Sequence, residues 1–301
     1  MLRLLLSLFF LLTINVLFCQ GCSDAGACSI ESINFDESSN QKKSDISLNL
    51  EQTTGLGEKF VFISQTTAGI QYKATKSTFV ELRVPFIFTS GNLGHTSGVG
   101  DLILSVNQQV LNTNSKKLNL ILASRIKSND ANKYFDDKPL PMAYQTSLGT
   151  YDLILGSLFS IPKWDFYAAW QHSFGRNKNE YLVTDLTIPD NHQYYESNQL
   201  KRGDDIYLRG RRFFDLKNTN RILVNTLFIY RIQRDEIVKN DENILLEGSN
   251  GLTINLAFTY SKTLKNHRKI DLSLAFPIVD KDYRADGLTR NVVLGLRLVN
   301  L

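Results

Sequence analysis

Across 301 residues the chain has three cysteines, two tryptophans, two methionines, six prolines and four histidines. All three cysteines, Cys19, Cys22 and Cys28, stand near its start. The body of the chain therefore has no disulfide framework, and with no histidine beside them the thiols fit no zinc site. His95, His172, His192 and His267 are scattered without metal-ligand spacing. The formal net charge is +4, yet no block of like charge reaches five residues, which excludes a nucleic-acid-binding arm. Only one long apolar run exists, Leu4 to Phe18. No other stretch approaches the ~20 apolar residues of a membrane helix. Bulk composition, at 43% hydrophobic and 21% charged, is that of an ordinary soluble protein.

The apolar run is short for a membrane helix and right for the core of a signal peptide. Met1 and Arg3 precede it, and the small residues Cys19, Gly21, Ser23, Ala25 and Gly26 follow. Residues 1–21 are thus expected to be a signal peptide, cleaved near Gln20 or Gly21. Cys22 and Cys28 then remain, and an oxidising compartment lets them pair as a disulfide. Lipidation of Cys22 is the open alternative. Residues 22–44 are polar and Ser/Asn-rich and are expected to form an exposed leader.

From residue 45 to 301 the pattern has period two. In 251–262, Leu252, Ile254, Leu256, Phe258 and Tyr260 share one face, and Thr253, Asn255, Ala257, Thr259 and Ser261 the other. In 269–278, Ile270, Leu272, Leu274 and Phe276 oppose Lys269, Asp271, Ser273 and Ala275; in the last segment Leu294, Leu296 and Leu298 oppose Gly295 and Arg297. Alternation over about ten residues is the length a tilted strand needs to cross a bilayer, and exceeds the usual five or six of a globular strand. Nine noisier segments, from about 45–54 to 222–231, make twelve. The connections alternate: short ones near Thr75, Thr113, Lys163, Asn218 and Asn266, long ones at about 89–97, 128–146, 175–203, 235–248 and 280–290. Short periplasmic turns and long extracellular loops give that alternation. The expected fold class is all-β: a closed antiparallel transmembrane β-barrel of about 12 strands in the bacterial outer membrane, with the lipid bilayer as its first partner. Closure follows because an unpaired sheet edge has no hydrogen-bond partner in hydrocarbon.

The same register puts Glu81, Arg83, Asp101, Arg125, Asp152, Asp165, Asp205, Arg209, Arg231, Asp271 and Arg297 on the lumen side. Both signs fit a narrow polar channel, and equally a salt-bridged filling of a barrel between the filled eight-strand and the open sixteen-strand sizes. Arg212 breaks the pattern: it falls on the lipid side, so it snorkels to an interface or the strand carries a bulge. Pro85 and Pro277 fall near the outer ends of rising strands, where a lost ladder bond matters little.

Gly98-Val99-Gly100-Asp101 precedes a strand rather than a helix, so it is no nucleotide-binding fingerprint. As GVGDLILSV it resembles the outer-membrane channels named for the meta-pathway of phenol degradation. GTYDLILG at 149–156, QHSFGRNKN at 171–179 and CSDAGACS at 22–29 resemble the same barrels, especially Bacteroidetes-like members. The resemblance implies an outer-membrane transporter, assembled by the outer-membrane assembly machinery, with no defined substrate and no cofactor. One departure is the final residue, Leu301, where many such barrels end on an aromatic. An enzymatic role is not expected. His172 and Ser173 are the nearest thing to the His/Ser pair of outer-membrane phospholipases, but adjacent strand residues face opposite sides of the wall. The reading is a channel or transporter for an unidentified small molecule. The alternative is a non-conducting barrel with a structural or extracellular-binding role, in which Tyr181, Tyr194 and Tyr195 of the 175–203 loop face outward rather than into the lumen.

Overall fold

The structure, a computed structural model, describes residues 45–184, 193–216, 219–264, 268–288 and 290–301. The expected signal peptide, leader and Cys22–Cys28 pair, together with His192 and His267, lie outside them. The strands in chain order are β1 (Ile46–Gly57), β2 (Phe62–Lys73), β3 (Thr78–Gly91), β4 (Gly94–Val99), β5 (Leu102–Asn112), β6 (Lys117–Ile126), β7 (Tyr134–Phe135), β8 (Lys138–Pro139), β9 (Tyr151–Ile161), β10 (Trp164–Phe174), β11 (Asp205–Asp215), β12 (Asn220–Arg231), β13 (Glu236–Lys239), β14 (Glu242–Leu245), β15 (Gly251–Thr263), β16 (Lys269–Val279) and β17 (Arg290–Val299). Two short pairs, β7–β8 and β13–β14, are hairpins inside connections. The remaining strands form one antiparallel sheet in which β17 pairs with β1 and β2 with β3, so the sheet closes on itself as a 12-strand barrel. The thirteenth strand, β4, prolongs only the upper half of β3, from Phe86↔Val99 to Gly91↔Gly94. The expected irregular loop at 89–97 is therefore a hairpin standing above the wall, and His95, expected in a loop, is a strand residue edge-on to Phe135 at 5.1 Å.

The wall alternates as the sequence requires. On β5, Ile103, Ser105 and Asn107 are buried while Leu104 and Val106 are exposed; on β16, Asp271 is buried and Leu272 and Leu274 are exposed. Such exposed apolar side chains encircle the barrel, among them Leu120, Leu122, Leu208, Leu294 and Leu296. A soluble monomer rarely shows a patch beyond a few hundred Å², so this belt is a lipid-facing surface. Aromatic side chains flank it. Trp164 and Phe166 stack near one rim, and Trp170, His172 and Phe174 line up near the other. Arg212 is outward-facing, its guanidinium over the Trp164 ring at 4.7 Å and near Phe214 at 5.6 Å. The β11 ladders run unbroken through it, paired with Trp164 and Val224, so stacking at the rim rather than a bulge accommodates the charge. The register shifts lie elsewhere, at Leu56/Gly57, Gln109/Leu111 and Ile254/Asn255.

Both prolines sit just beyond the point where a ladder ends. The β3–β5 pairing stops at Arg83↔Ile103, and that of β16–β17 at Ala275↔Val293, so Pro85 and Pro277 have no bond to donate there. β3–β2, β5–β6, β9–β10, β11–β12 and β15–β16 are joined by two to five residues, all at one end. The long connections gather at the other. In outer-membrane barrels the short turns are periplasmic. A cysteine at exposed Asp137, in the β7–β8 turn, should react with a membrane-impermeant thiol reagent on intact cells. One at exposed Ser115, between β5 and β6, should not, each compared with the unaltered chain. Labelling at Ser115 alone would invert the barrel.

Candidate functional site: a lumen closed from its long-loop end

Segment 127–150 does not stay outside. Every residue from 141 to 150 is buried. It turns down into the barrel mouth, with Leu140, Ala143 and Tyr144 against Val61 and Ile63 of the wall and Met142 and Leu148 against Leu200, Ile237, Leu246 and Ala285 of the neighbouring loops. Gly287 touches its backbone: a side chain there would meet the Met142 carbonyl carbon and the Ala143 nitrogen at 2.4 Å. Only glycine, here at φ +62°, permits that approach.

Three of the sequence motifs converge on this inward segment. In GVGD, a side chain at Gly100 would meet Ile87 at 2.7 Å, and the Asp101 carboxylate accepts the backbone N–H of Leu148 at 2.8 Å and of Ser128 at 3.1 Å. Asp101 therefore clamps both ends of the loop. In GTYD, Gly149 has φ +73° and a side chain there would meet the Asp130 carbonyl oxygen at 2.8 Å, and the Thr150 hydroxyl donates to Asp152 at 3.1 Å. In QHSFGRNKN, Ser173 Oγ lies within hydrogen-bond distance of both Asp152 and Thr150, at 2.8 and 2.9 Å. Asn179 donates to the Ala131 and Leu140 carbonyls at 2.8 and 3.0 Å, and Asn177 accepts from the Leu200 N–H at 2.9 Å. His172, next to Ser173, faces out, with Nδ1 2.7 Å from Asp204. The His/Ser pair is split across the wall, as strand geometry demands.

Beneath the inward segment lies a buried ion network. Arg231 holds Asp205 at 2.9 Å, Asp235 at 2.8 Å and Asp286 at 2.9 Å. Arg202 holds Asp152 at 3.1 Å and Asp205 at 3.6 Å, and Arg125 approaches Asp152 at 3.7 Å. Four strands, β6, β9, β11 and β12, and three loops, 175–204, 232–250 and 280–288, are joined in this way. Burial disfavours the charge on Asp286, but Arg231, with Lys281 and Arg202, outweighs it and holds that carboxyl below the usual carboxylate range. Asp235 goes the other way, pushed up by burial against the pull of Arg231. At the rim, desolvation raises Glu58 to about 7 despite the hydrogen bond from the Tyr195 N–H and the nearby Arg284.

Of the eleven expected lumen residues, ten are buried and Arg297 is half-buried, in different company. Arg125, Asp152, Asp205 and Arg231 belong to the network, and Asp101 to the clamp. Arg209 lies over the Tyr167 ring at 4.7 Å, and Asp165 pairs with Arg211. Glu81, Arg83, Asp271 and Arg297 lie lower, around Glu51, to which Arg83 is paired; Arg297 faces Glu51 and Asp271 across the ladders. The lumen face is not uniformly polar: Ile103, Ile121, Ile154, Tyr167, Leu227 and Ile229 pack inward as an apolar cluster against Leu288. Asn119 and Asn255 point into the same interior at 0% and 2% exposure, and none of their amide nitrogen or oxygen atoms has a partner among the described residues. Cavities lie between these groups. One of about 80 Å³ lies under the inward segment beside Arg83, Pro85 and Asp286. One of about 380 Å³ occupies the short-turn half, between Glu51, Arg211, Lys269 and Arg297. Among the described residues there is no cluster of three metal-ligating side chains.

Sequence reasoning did not find Arg202, Asp235, Asp286, Asn177 or Asn179. Two signals were available: the motif QHSFGRNKN, which contains Asn177 and Asn179, and the apolar run Leu140, Pro141, Met142, Ala143 and Tyr144 inside a connection that was expected to be exposed.

No family model matches this sequence, and no curated protein matches it. Solved structures do. An outer membrane channel from Pseudomonas putida F1 superposes with a TM-score of 0.56 at 15% identity, over 89% of this chain and 99% of that one. The NanC porin gives 0.48 at 9% identity, over 84% of this chain and 97% of its own, and the KdgM porin 0.45 at 6%, over 85% and 98%. The chain has the fold of an outer-membrane β-barrel.

Proposed function

We propose that this protein is an outer-membrane channel for small solutes, narrow and closed at rest by its own long loops. The observation that carries this is the pair of buried, unpartnered amides, Asn119 and Asn255, above a 380 Å³ cavity. A buried polar group without a partner costs about 1–3 kcal/mol, so a solid filling would not place amides there. Water or a polar solute satisfies them. In this reading the interior polar groups guide a solute rather than react with it: hydroxyls that meet carboxylates, such as Ser173 and Thr150 at Asp152, are tied to the inward segment and its neighbours. The reading includes export by the 1–21 signal peptide, a polar 22–44 leader with Cys22 and Cys28 oxidised, insertion by the outer-membrane assembly machinery, and kinship with the meta-pathway phenol-degradation channels, in their Bacteroidetes-like branch. The eleven inward charges are its candidate lining.

The buried network favours a second reading, a permanently sealed barrel whose loops bind a partner outside. Reconstitution in planar bilayers separates the two. The channel gives stepwise openings, brief or small; a folded barrel that stays silent at every applied potential supports the sealed alternative.

A further inference from the structure

Arg212 stands on the lipid side of the wall. The outward residues of β11 run Ile206, Leu208, Gly210, Arg212 and Phe214, and Ile206, Leu208 and Phe214 are exposed apolar side chains of the belt. Its neighbour Arg211 faces the lumen and is paired with Asp165. Arg212 is not matched in this way: among the described residues its guanidinium meets the Trp164 ring at 4.7 Å, the Phe214 ring at 5.6 Å and no carboxylate. The acids of the surrounding wall are engaged elsewhere, Asp165 with Arg211 and Asp215 with Arg221. An aromatic ring attracts a cation through its quadrupole but leaves the charge unneutralised. The two rings hold the guanidinium plane and leave its N–H edges to bind. Phe214 lies two residues nearer the short-turn end, so the side chain extends toward that end. Strands rise about 3.3 Å per residue and tilt by about 40°, so the Arg212 backbone lies about 5 Å below Gly210, the middle of β11, within an apolar band about 25 Å tall. From there an extended arginine reaches the inner headgroup layer, as snorkelling side chains do.

We propose that Arg212, Trp164 and Phe214 form a binding site for the phosphodiester headgroup of one phospholipid in the inner leaflet. A planar guanidinium matches two phosphate oxygens at once, and the phosphate supplies the negative charge that the protein does not. Exposed Leu208 and Phe166, on the bilayer side of the site, are placed against the acyl chains. The bound lipid fixes the depth of the β10–β11 rim. The site stands whether or not the barrel conducts.

Two measurements on the full-length barrel test it. In native mass spectrometry the folded protein should retain one phosphatidylcholine several-fold more than digalactosyldiacylglycerol, whose headgroup is larger and has no phosphate. Arg212→Gln should lower that retention several-fold, and Arg212→Lys should recover part of it. Lys262→Gln, at an exposed cation near the same end of β15, should change nothing. Equal retention of the two lipids, or full retention in Arg212→Gln, would overturn the proposal. The second measurement is urea unfolding from vesicles. Arg212→Leu should lower the midpoint in phosphatidylcholine and leave it unchanged or raised in digalactosyldiacylglycerol, where leucine suits the lipid face and no phosphate is lost. The same change in both lipids would reject the site, because the ring contacts are lost in either. A midpoint that is unchanged or raised in phosphatidylcholine would reject it as well.

Discussion

Replacing Arg231 by methionine should unlatch the mouth while leaving the wall intact. Its guanidinium is the one group that touches Asp205 on β11, Asp235 in the 232–250 loop and Asp286 in the 280–288 loop. Methionine fills similar space without charge, so three buried carboxylates lose their common cation. Breaking a buried pair by removing one partner costs about 3–5 kcal/mol, because the remaining charge is neither hydrated nor paired. That cost exceeds what the loop contacts can absorb locally, whereas the twelve-strand ladder is untouched. The expected outcome is a several-fold rise in mean conductance, together with new protease cleavage in 232–250 and 280–288. Resistance to SDS without boiling should persist. The orphaned carboxylates repel one another, and Asp235, already pushed up by burial, takes a proton first as the pH falls, so acidification should partly reclose the variant. Arg231→Lys should fall between, since one ammonium cannot reproduce contacts from three guanidinium nitrogens. Conductance and loop protection both unchanged in Arg231→Met would mean that the network does not hold the loops.

Leu294→Arg should destabilise the inserted barrel by about 2–4 kcal/mol, the range for a cation placed near the bilayer midplane on the lipid face. Leu294 is the middle of β17, 57% exposed, and its ladder neighbours are Thr54 and Leu274. From there a side chain has several residues to reach either headgroup layer, unlike Arg212, whose guanidinium rests on Trp164 at the rim. The matched control is Thr259→Glu, on the lumen face of β15 and bordering the 380 Å³ cavity, which should change stability by less than ~1 kcal/mol. Reversible unfolding from lipid vesicles by urea measures both. Equal losses would reject the assignment of lipid and lumen faces, and a larger loss at Thr259 would mean that they are exchanged.

The wall was legible because one rule acts on all of it. Lipid on one side and lumen on the other impose a period of two, and a one-residue slip would turn every side chain to the wrong solvent. Leu252 to Tyr260 and Ile270 to Phe276 obey it cleanly. The earlier strands are noisier for a physical reason now apparent. Ile103, Ile121, Ile154 and Leu227 are apolar on the lumen face, packing with Leu288 from the mouth, so apolar residues there are adjacent in sequence to apolar residues on the lipid face. The inward fold of 127–150 had no such rule behind it. It is fixed by single contacts between remote residues, such as Asp101 to Leu148 and Asn179 to Leu140, which leave no period in the sequence. The same holds for the network: Arg231 was visible as an inward charge, but Asp235 and Asp286, its partners, sit in irregular loops where nothing distinguishes them from solvated aspartates.

The seam between β1 and β17 has a kinetic consequence. Asn49 pairs with Val299, Ser47 donates to Asn300 at 2.7 Å, and the Leu301 N–H donates to Leu48 at 3.1 Å. These contacts join segments about 250 residues apart in the chain, so the entropy of bringing them together must be met before any of them forms. Every other wall pairing joins strands that are near neighbours in sequence, as hairpins do. Assembly therefore has a fixed last event, and until it occurs two strand edges are raw. An intermediate with eleven of its twelve strand pairings made leaves two edges without partners in lipid and is adhesive to its own kind. The chain has to be shielded until its final strand is available, and thereafter the zipped seam makes departure from the membrane as slow as entry was.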